Sequence, residues 1–183
     1  MSELDVPAGF RIRPSCVEDA EGIQRCLDAV ARERRHIAML EAPPLDQVRS
    51  FVEGIAAGAG VQFVALQDVA LQDEAVVGWC DVLRNPRSGF RHSAALGMGL
   101  LAPVRGRGIG RALLAAVLEG AGPQGLQRIE LEVYAANRPA IALYERFGFV
   151  REGVKQAGRL LDGEPADIHC MALLLAPLAS DGD

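Results

Sequence analysis

Apolar and polar positions change period several times along the chain. The stretch "FRIRPS", residues 10–15, alternates apolar and charged residues ahead of a proline, which predicts a short first strand. From Ser15 to Ile37 the spacing turns helical, with Val17, Ile23, Leu27 and Val30 at near-helical intervals and Ser15 and Glu18 in capping-box spacing. A second helical pattern, Leu45, Val48, Phe51, Val52 and Ile55, closes in the glycine-rich "AAGAG". Two helices therefore precede the main sheet. "VQFVALQ" and "AVVGWCDVL" are β-branched and apolar around a polar connection, as in a hairpin, and "HSAALGMGLLAPV" reads as the next strand. A helix to about Gly120, the strand "LQRIELEVY" and the helix "NRPAIALYERFG" follow. Two last strands, "FVREGVKQAG" and "ADIHCMALLL", flank Asp162-Gly163, a hairpin-turn pair.

The chain has 183 residues, within the size of one domain, and no repeat, low-complexity run or linker divides it. The expectation is a single domain over residues 1–177 with a disordered tail at 178–183. A net charge of −5 argues against nucleic-acid or anionic-membrane partners, which reward a basic footprint. Four scattered cysteines without a C-x-x-C pair and three scattered histidines indicate neither a disulfide framework nor a metal site. The opening "MSELDVPAGF" carries no apolar segment, and no run of eighteen apolar residues occurs, so the expected compartment is the cytoplasm.

One stretch departs from this ordinary composition. "VRGRGIGRALLAA", residues 104–116, places Arg105, Gly106, Arg107, Gly108, Ile109, Gly110 and Arg111 between a strand and an apolar helix face. Bare backbone, guanidinium charge and the positive end of a helix at one point attract phosphate. The spacing fits neither a P-loop, because Gly106 to Gly110 is one residue short and arginine replaces lysine, nor a dinucleotide fingerprint, which needs glycine at 111. Upstream, Gly97 and Gly99 inside a strand mark a bulge or a close approach to the backbone.

The run R-G-R-G-I-G, 105–110, resembles the [QR]-x-x-G-x-[GA] coenzyme A loop of the GNAT acetyltransferase superfamily. "LEVYAANRPAIALYERFGF", 131–149, is similar to the signature that follows the loop in that superfamily. The match is good over residues 75–175; before that it holds in element order alone. The resemblance implies a mixed α/β GNAT fold: a central twisted mixed sheet of about six to seven strands with flanking helices, splayed between the fourth and fifth strands. It also implies an N-acetyltransferase that moves acetyl from acetyl-CoA, a cosubstrate, to a primary amine on a small molecule or peptide N-terminus by direct attack. Acetyl-CoA would enter the gap between the strand ending near Leu101 and the strand 129–134. A bulge at "LGMGLL" would free the backbone of Met98, Gly99 and Leu100 for the acetyl and pantetheine amides. The turn 105–111 would cradle the pyrophosphate, and Asn137 would cap the next helix or touch the cofactor arm.

Tyr144 is the implied general acid for the departing thiolate. A tyrosine pKa near 10 keeps it protonated, against a thiol pKa near 8.5; packing into the core is the competing role. Glu132 is the implied base by the same resemblance, with Glu130 sharing its strand face and His92 a lesser candidate, each otherwise a plain surface residue. No cysteine lies in either motif, which favours direct transfer, although Cys80 or Cys170 could approach from another strand. A coenzyme A sensor without catalysis would carry the same loop, and a nucleotide-dependent enzyme would respond to ATP or NAD instead. The acceptor, a preference for longer acyl groups and the oligomeric state have no motif. A homodimer through the last hairpin is a family habit.

Overall fold

A computed structural model describes residues 6–69 and 73–175. The tail expected at 178–183, and the end of the expected domain at 176–177, lie outside the described residues. Strand β1 (Phe10–Pro14) is followed by helices α1 (Ala20–Arg32) and α2 (Leu45–Gly54). Then come β2 (Gly60–Val69), β3 (Asp73–Arg84), β4 (Ser93–Leu100), α3 (Ile109–Ala121), β5 (Arg128–Tyr134), α4 (Arg138–Arg146), β6 (Val150–Leu161) and β7 (Glu164–Leu174). The strands form one sheet in the order β1-β2-β3-β4-β5-β7-β6. Only β4 and β5 are parallel, joined over α3 as a β-α-β crossover. No described helix is long and apolar enough to cross a membrane.

Alternation along the strands sends side chains to two helical layers. Cys80 and Val82 of β3, with Ile129, Leu131 and Val133 of β5, pack under α3 and α4. Val64 and Leu66 of β2 pack under α1 and α2, and Trp79 of β3 packs on Cys26, Leu27 and Val30 of α1. The apolar stripe of α3 is buried through Leu113, Leu114 and Val117.

A single 3-10 turn, Val17–Asp19, leads into α1, and its capping box is Cys16 with Asp19, one residue later than Ser15 and Glu18 suggest. The Cys16 amide donates to Asp19 Oδ2 at 2.8 Å, while Arg13 donates twice to the same carboxylate at 2.7 and 2.8 Å. That bidentate pair outcompetes the alternative box, because charge-assisted bonds in a half-buried place are the stronger ones. Burial by itself would raise the Asp19 pKa, but the Arg13 bonds and the Cys16 amide hold it below the ordinary value.

Of the two expectations for the glycines of β4, a bulge or a close approach to the backbone, the structure shows the close approach. Against β3 the ladder is regular from Arg84↔Ala94 to Gly78↔Leu100. Gly97 lies opposite Asp81 and Gly99 opposite Trp79. A Cβ at Gly99 would sit 2.2 Å from the Trp79 ring, and one at Gly97 would sit 3.1 Å from Asp81 Oδ1. The glycines make room for two large β3 side chains on the face toward α1. Gly99→Ala is therefore expected to destabilise the fold by roughly 1–3 kcal/mol, the usual cost of overpacking a core that cannot relax. Denaturant unfolding followed by the fluorescence of Trp79, the single tryptophan, measures it.

Candidate active site

Strands β4 and β5 pair at only three positions, Ser93↔Arg128, Ala94↔Ile129 and Ala95↔Glu130. Beyond Ala95, β4 continues against β3 while β5 continues against β7 as far as Tyr134↔Ile168. The two strands thus part in the middle of the sheet, as expected at the fourth and fifth strands. The backbone edges facing the gap have no ladder there, and such groups need another partner. Met98, Gly99 and Leu100 lie along this edge, so splaying rather than a bulge opens it. A cleft of about 1590 Å³ runs through the gap and reaches both helical layers.

The glycine turn stands at the mouth of the gap. Gly106 and Gly108 have φ of +72° and +86°, values that favour glycine, and the space beside Gly106 is open to 4 Å. Gly110 serves packing, since a Cβ there would meet Met98 Cε at 3.1 Å and Leu100 Cδ1 at 3.2 Å. The first helical bond of α3 runs from the Ala112 amide to the Gly108 carbonyl at 3.1 Å. The N–H groups of Ile109 and Gly110 precede it and point out of the helix end, while the Ile109 side chain is fully buried. The main chain here fits a diphosphate.

The arginines divide their work differently from a simple ring of charge. Arg105 donates to the Leu100 carbonyl from Nε and Nη2 at 2.9 and 2.7 Å, and pairs with both carboxylate oxygens of Glu33 at 2.7 Å. Its guanidinium ties the end of α1 to the turn at the lining of the cleft. This takes up the carbonyl of Leu100 and holds the Glu33 carboxyl below its ordinary range. The Arg107 guanidinium lies 4.7 Å from the centre of the Phe10 ring. Arg111 lines the cleft on the first turn of α3.

Asn137 caps α4, its Oδ1 accepting from the Ala140 amide at 3.4 Å, and it also lines the cleft. Tyr144 is at once a core and a cleft residue. Its ring packs 5.7 Å from Phe149, and it lines the gap from the α4 side. Burial, with a smaller contribution from Cys80, pushes its hydroxyl well above the ordinary tyrosine value, so it stays protonated.

Glu132 is exposed (53%) at the rim and forms an ion pair with Lys155. Glu130 pairs with Arg128, and His92 precedes the paired end of β4, away from the opening. None of the three offers a buried, uncommitted base. Burial raises the Cys26 thiol to about 12 and the Cys80 thiol well above its usual value; neither Cys80 nor Cys170 lines the cleft.

Asp81 and Gln62 enter the site without any motif. They are direct partners across β2 and β3, and both line the cleft from the α1 side. The legible signal was a single acid in the apolar run "GWCDVL", at the same strand parity as Trp79.

The sequence model of the Acetyltransferase (GNAT) family matches residues 27–149. The chain is 36% identical over 109 residues to the L-amino acid N-acetyltransferase AaaT of Escherichia coli, a match covering 58% of this chain and 66% of that one. It is 30% identical over 95 residues to the uncharacterized N-acetyltransferase YycN of Bacillus subtilis, covering 52% of this chain and 61% of that one. The matches thus span just under two thirds of these relatives. The fold superposes on yncA of Salmonella typhimurium, solved with its cofactor acetyl-CoA, with a TM-score of 0.85 at 18% identity, covering 95% and 98% of the two chains. A GNAT-family acetyltransferase of Streptococcus pneumoniae gives 0.81 at 23%, covering 90% and 99%.

Proposed function

The chain belongs to the acetyltransferase (GNAT) family, and from that premise we propose that it transfers acetyl from acetyl-CoA to a primary amine by direct attack. The observation that carries this reading is the parting of β4 and β5 beside a bare glycine turn at the start of α3. The amides of that turn would take the diphosphate, and the open edge of β4 along Met98 and Gly99 would take the amide-bearing arm, leaving the thioester in the gap. Acetyl-CoA supplies an activated acyl group whose leaving thiolate is already modestly basic.

Tyr144 reaches the gap from the α4 layer and, held protonated by burial, would donate to that thiolate. Burial holds the Cys26 and Cys80 thiols protonated, and neither they nor Cys170 line the cleft, which supports direct transfer. The acceptor enters from the opposite layer, between α1, α2 and β3. Isothermal titration with acetyl-CoA is expected to give saturable binding in the micromolar range. ATP and NAD are expected to give none. No heat with acetyl-CoA at millimolar concentration would defeat the reading, and binding without thiol release across an amine panel would favour a sensor.

A further inference from the structure

We propose that the acceptor is a primary amine carried on an uncharged, apolar body, and that Asp81 with Gln62 receives its ammonium end and draws off a proton. This deepens the acetyltransferase reading and rests on it.

Asp81 is 6% exposed and Gln62 3% exposed, yet both line the cleft. The hydrogen-bond partner of the Asp81 carboxylate is Gln62 Nε2, at a long 3.5 Å, and no ion pair reaches it among the described residues. On the other side of the amide, Gln62 Oε1 is buried with no partner among the described residues. A buried carboxylate with one long hydrogen bond and a buried amide oxygen with none are costly unless something supplies N–H groups. A primary ammonium brings three donors and a positive charge, matching an orphaned amide oxygen and a buried carboxylate. Of the other titratable groups lining this half of the cleft, His36 and Arg105 pair with Glu33, Glu132 pairs with Lys155, and the Tyr134 ring lies under the Arg159 guanidinium.

The position suits chemistry as well as binding. Asp81 Oδ1 rests against Gly97, two residues past the last β4–β5 pair, so the carboxylate stands where the gap begins to open. Burial pushes its pKa up to about 7, only partly countered by the Gln62 bond, which suits a base working near neutrality. Around it the walls are apolar: Ile23, Leu27 and Val30 of α1, Val48 and Phe51 of α2, and Trp79. Such walls accept a hydrocarbon or aromatic body, and offer no uncommitted cation in this half for an acceptor carboxylate.

In the step, the ammonium passes one proton to the Asp81 carboxylate, which later releases it to solvent. The freed nitrogen lone pair forms the C–N bond to the acetyl carbonyl carbon, and the C–S bond breaks with its electron pair leaving on sulfur. The nitrogen sheds its second proton to solvent as the amide forms. Tyr144 protonates the sulfur and recovers a proton from solvent, so one proton is released per turnover.

Four amines test the proposal in a thiol-release assay: 2-phenylethylamine, hexylamine, ethanolamine and L-phenylalanine, which differs from the first by a carboxylate. The first two are expected to exceed the last two by at least 30-fold in kcat/KM, with a limb rising through pH 7. Asp81→Asn is expected to lose at least 100-fold, to lose that limb, and to bind acetyl-CoA with unchanged affinity. Gln62→Leu is expected to raise KM for 2-phenylethylamine more than it lowers kcat. A wild-type protein that binds acetyl-CoA but acetylates neither apolar amine, or prefers L-phenylalanine, overturns the substrate class. An Asp81→Asn variant within threefold of wild type overturns the role of Asp81. Absence of acetyl-CoA binding in the wild type would instead defeat the acetyltransferase reading beneath both.

Discussion

Tyr144→Phe is expected to lower kcat for acetyl transfer about 100-fold while leaving acetyl-CoA affinity and the unfolding midpoint nearly unchanged. The size follows from the leaving group. General acids contribute about 10²–10⁴-fold, and a thiolate with a pKa near 8.5 needs less help than an alkoxide, so the low end applies. The variant removes one hydroxyl and leaves the ring on Phe149 and Ile141, so no cavity opens. Because burial holds the phenol protonated, the wild-type pH profile is expected to show no loss of kcat from tyrosine ionisation up to about pH 10. Steady-state kinetics from pH 6 to 10 on both proteins checks this; a variant within threefold of wild type would remove Tyr144 from the chemistry.

The second large effect concerns stability. A carboxyl whose folded pKa lies at about 7 rather than 3.8 binds its proton more tightly when folded. Its contribution is therefore most favourable below about pH 4, falls as pH climbs toward 7, and stays at its full unfavourable value above that. At about 1.4 kcal/mol per pH unit the gap amounts to about 4 kcal/mol, an upper figure because water entering the cleft relieves part of it. Asparagine cannot ionise, so Asp81→Asn is expected to unfold roughly 5–10 °C above wild type at pH 8, given about 2–4 °C per kcal/mol for a domain of this size. At pH 4 the two proteins are expected to match.

The comparison between the two proteins isolates Asp81 from groups of opposite sign. Glu33 and Glu152, held below their ordinary pKa by Arg105 and Arg128, contribute stability that is lost on acidification in both proteins alike. Equal midpoints at pH 8 would show that Asp81 is hydrated when folded. Together the two variants separate the halves of the site: one changes rate without stability, the other gains stability where it gives up function, as expected of a buried charge kept for a ligand.

Local pattern carried most of the architecture. Periods of 2 and 3.6 placed all seven strands and four helices, because each element must turn one apolar face inward whatever surrounds it. The glycine turn was legible for the same reason: positive φ at Gly106 and Gly108 is a local backbone demand, and so is the Asn137 cap. What the chain alone could not determine were relations across the sheet. Gly97 and Gly99 read locally as a bulge or a close approach, but the residues that approach, Asp81 and Trp79 on the neighbouring strand, are named only by the register. The pairing of Arg105 with Glu33, 72 residues away, was likewise invisible in the local pattern. Glu132 and Asp81 are both strand acids by sequence. Only packing leaves one at the rim beside Lys155 and the other in the wall of the cleft without a cation, since burial and pairing, which govern a carboxylate's chemistry, are properties of the assembled layers.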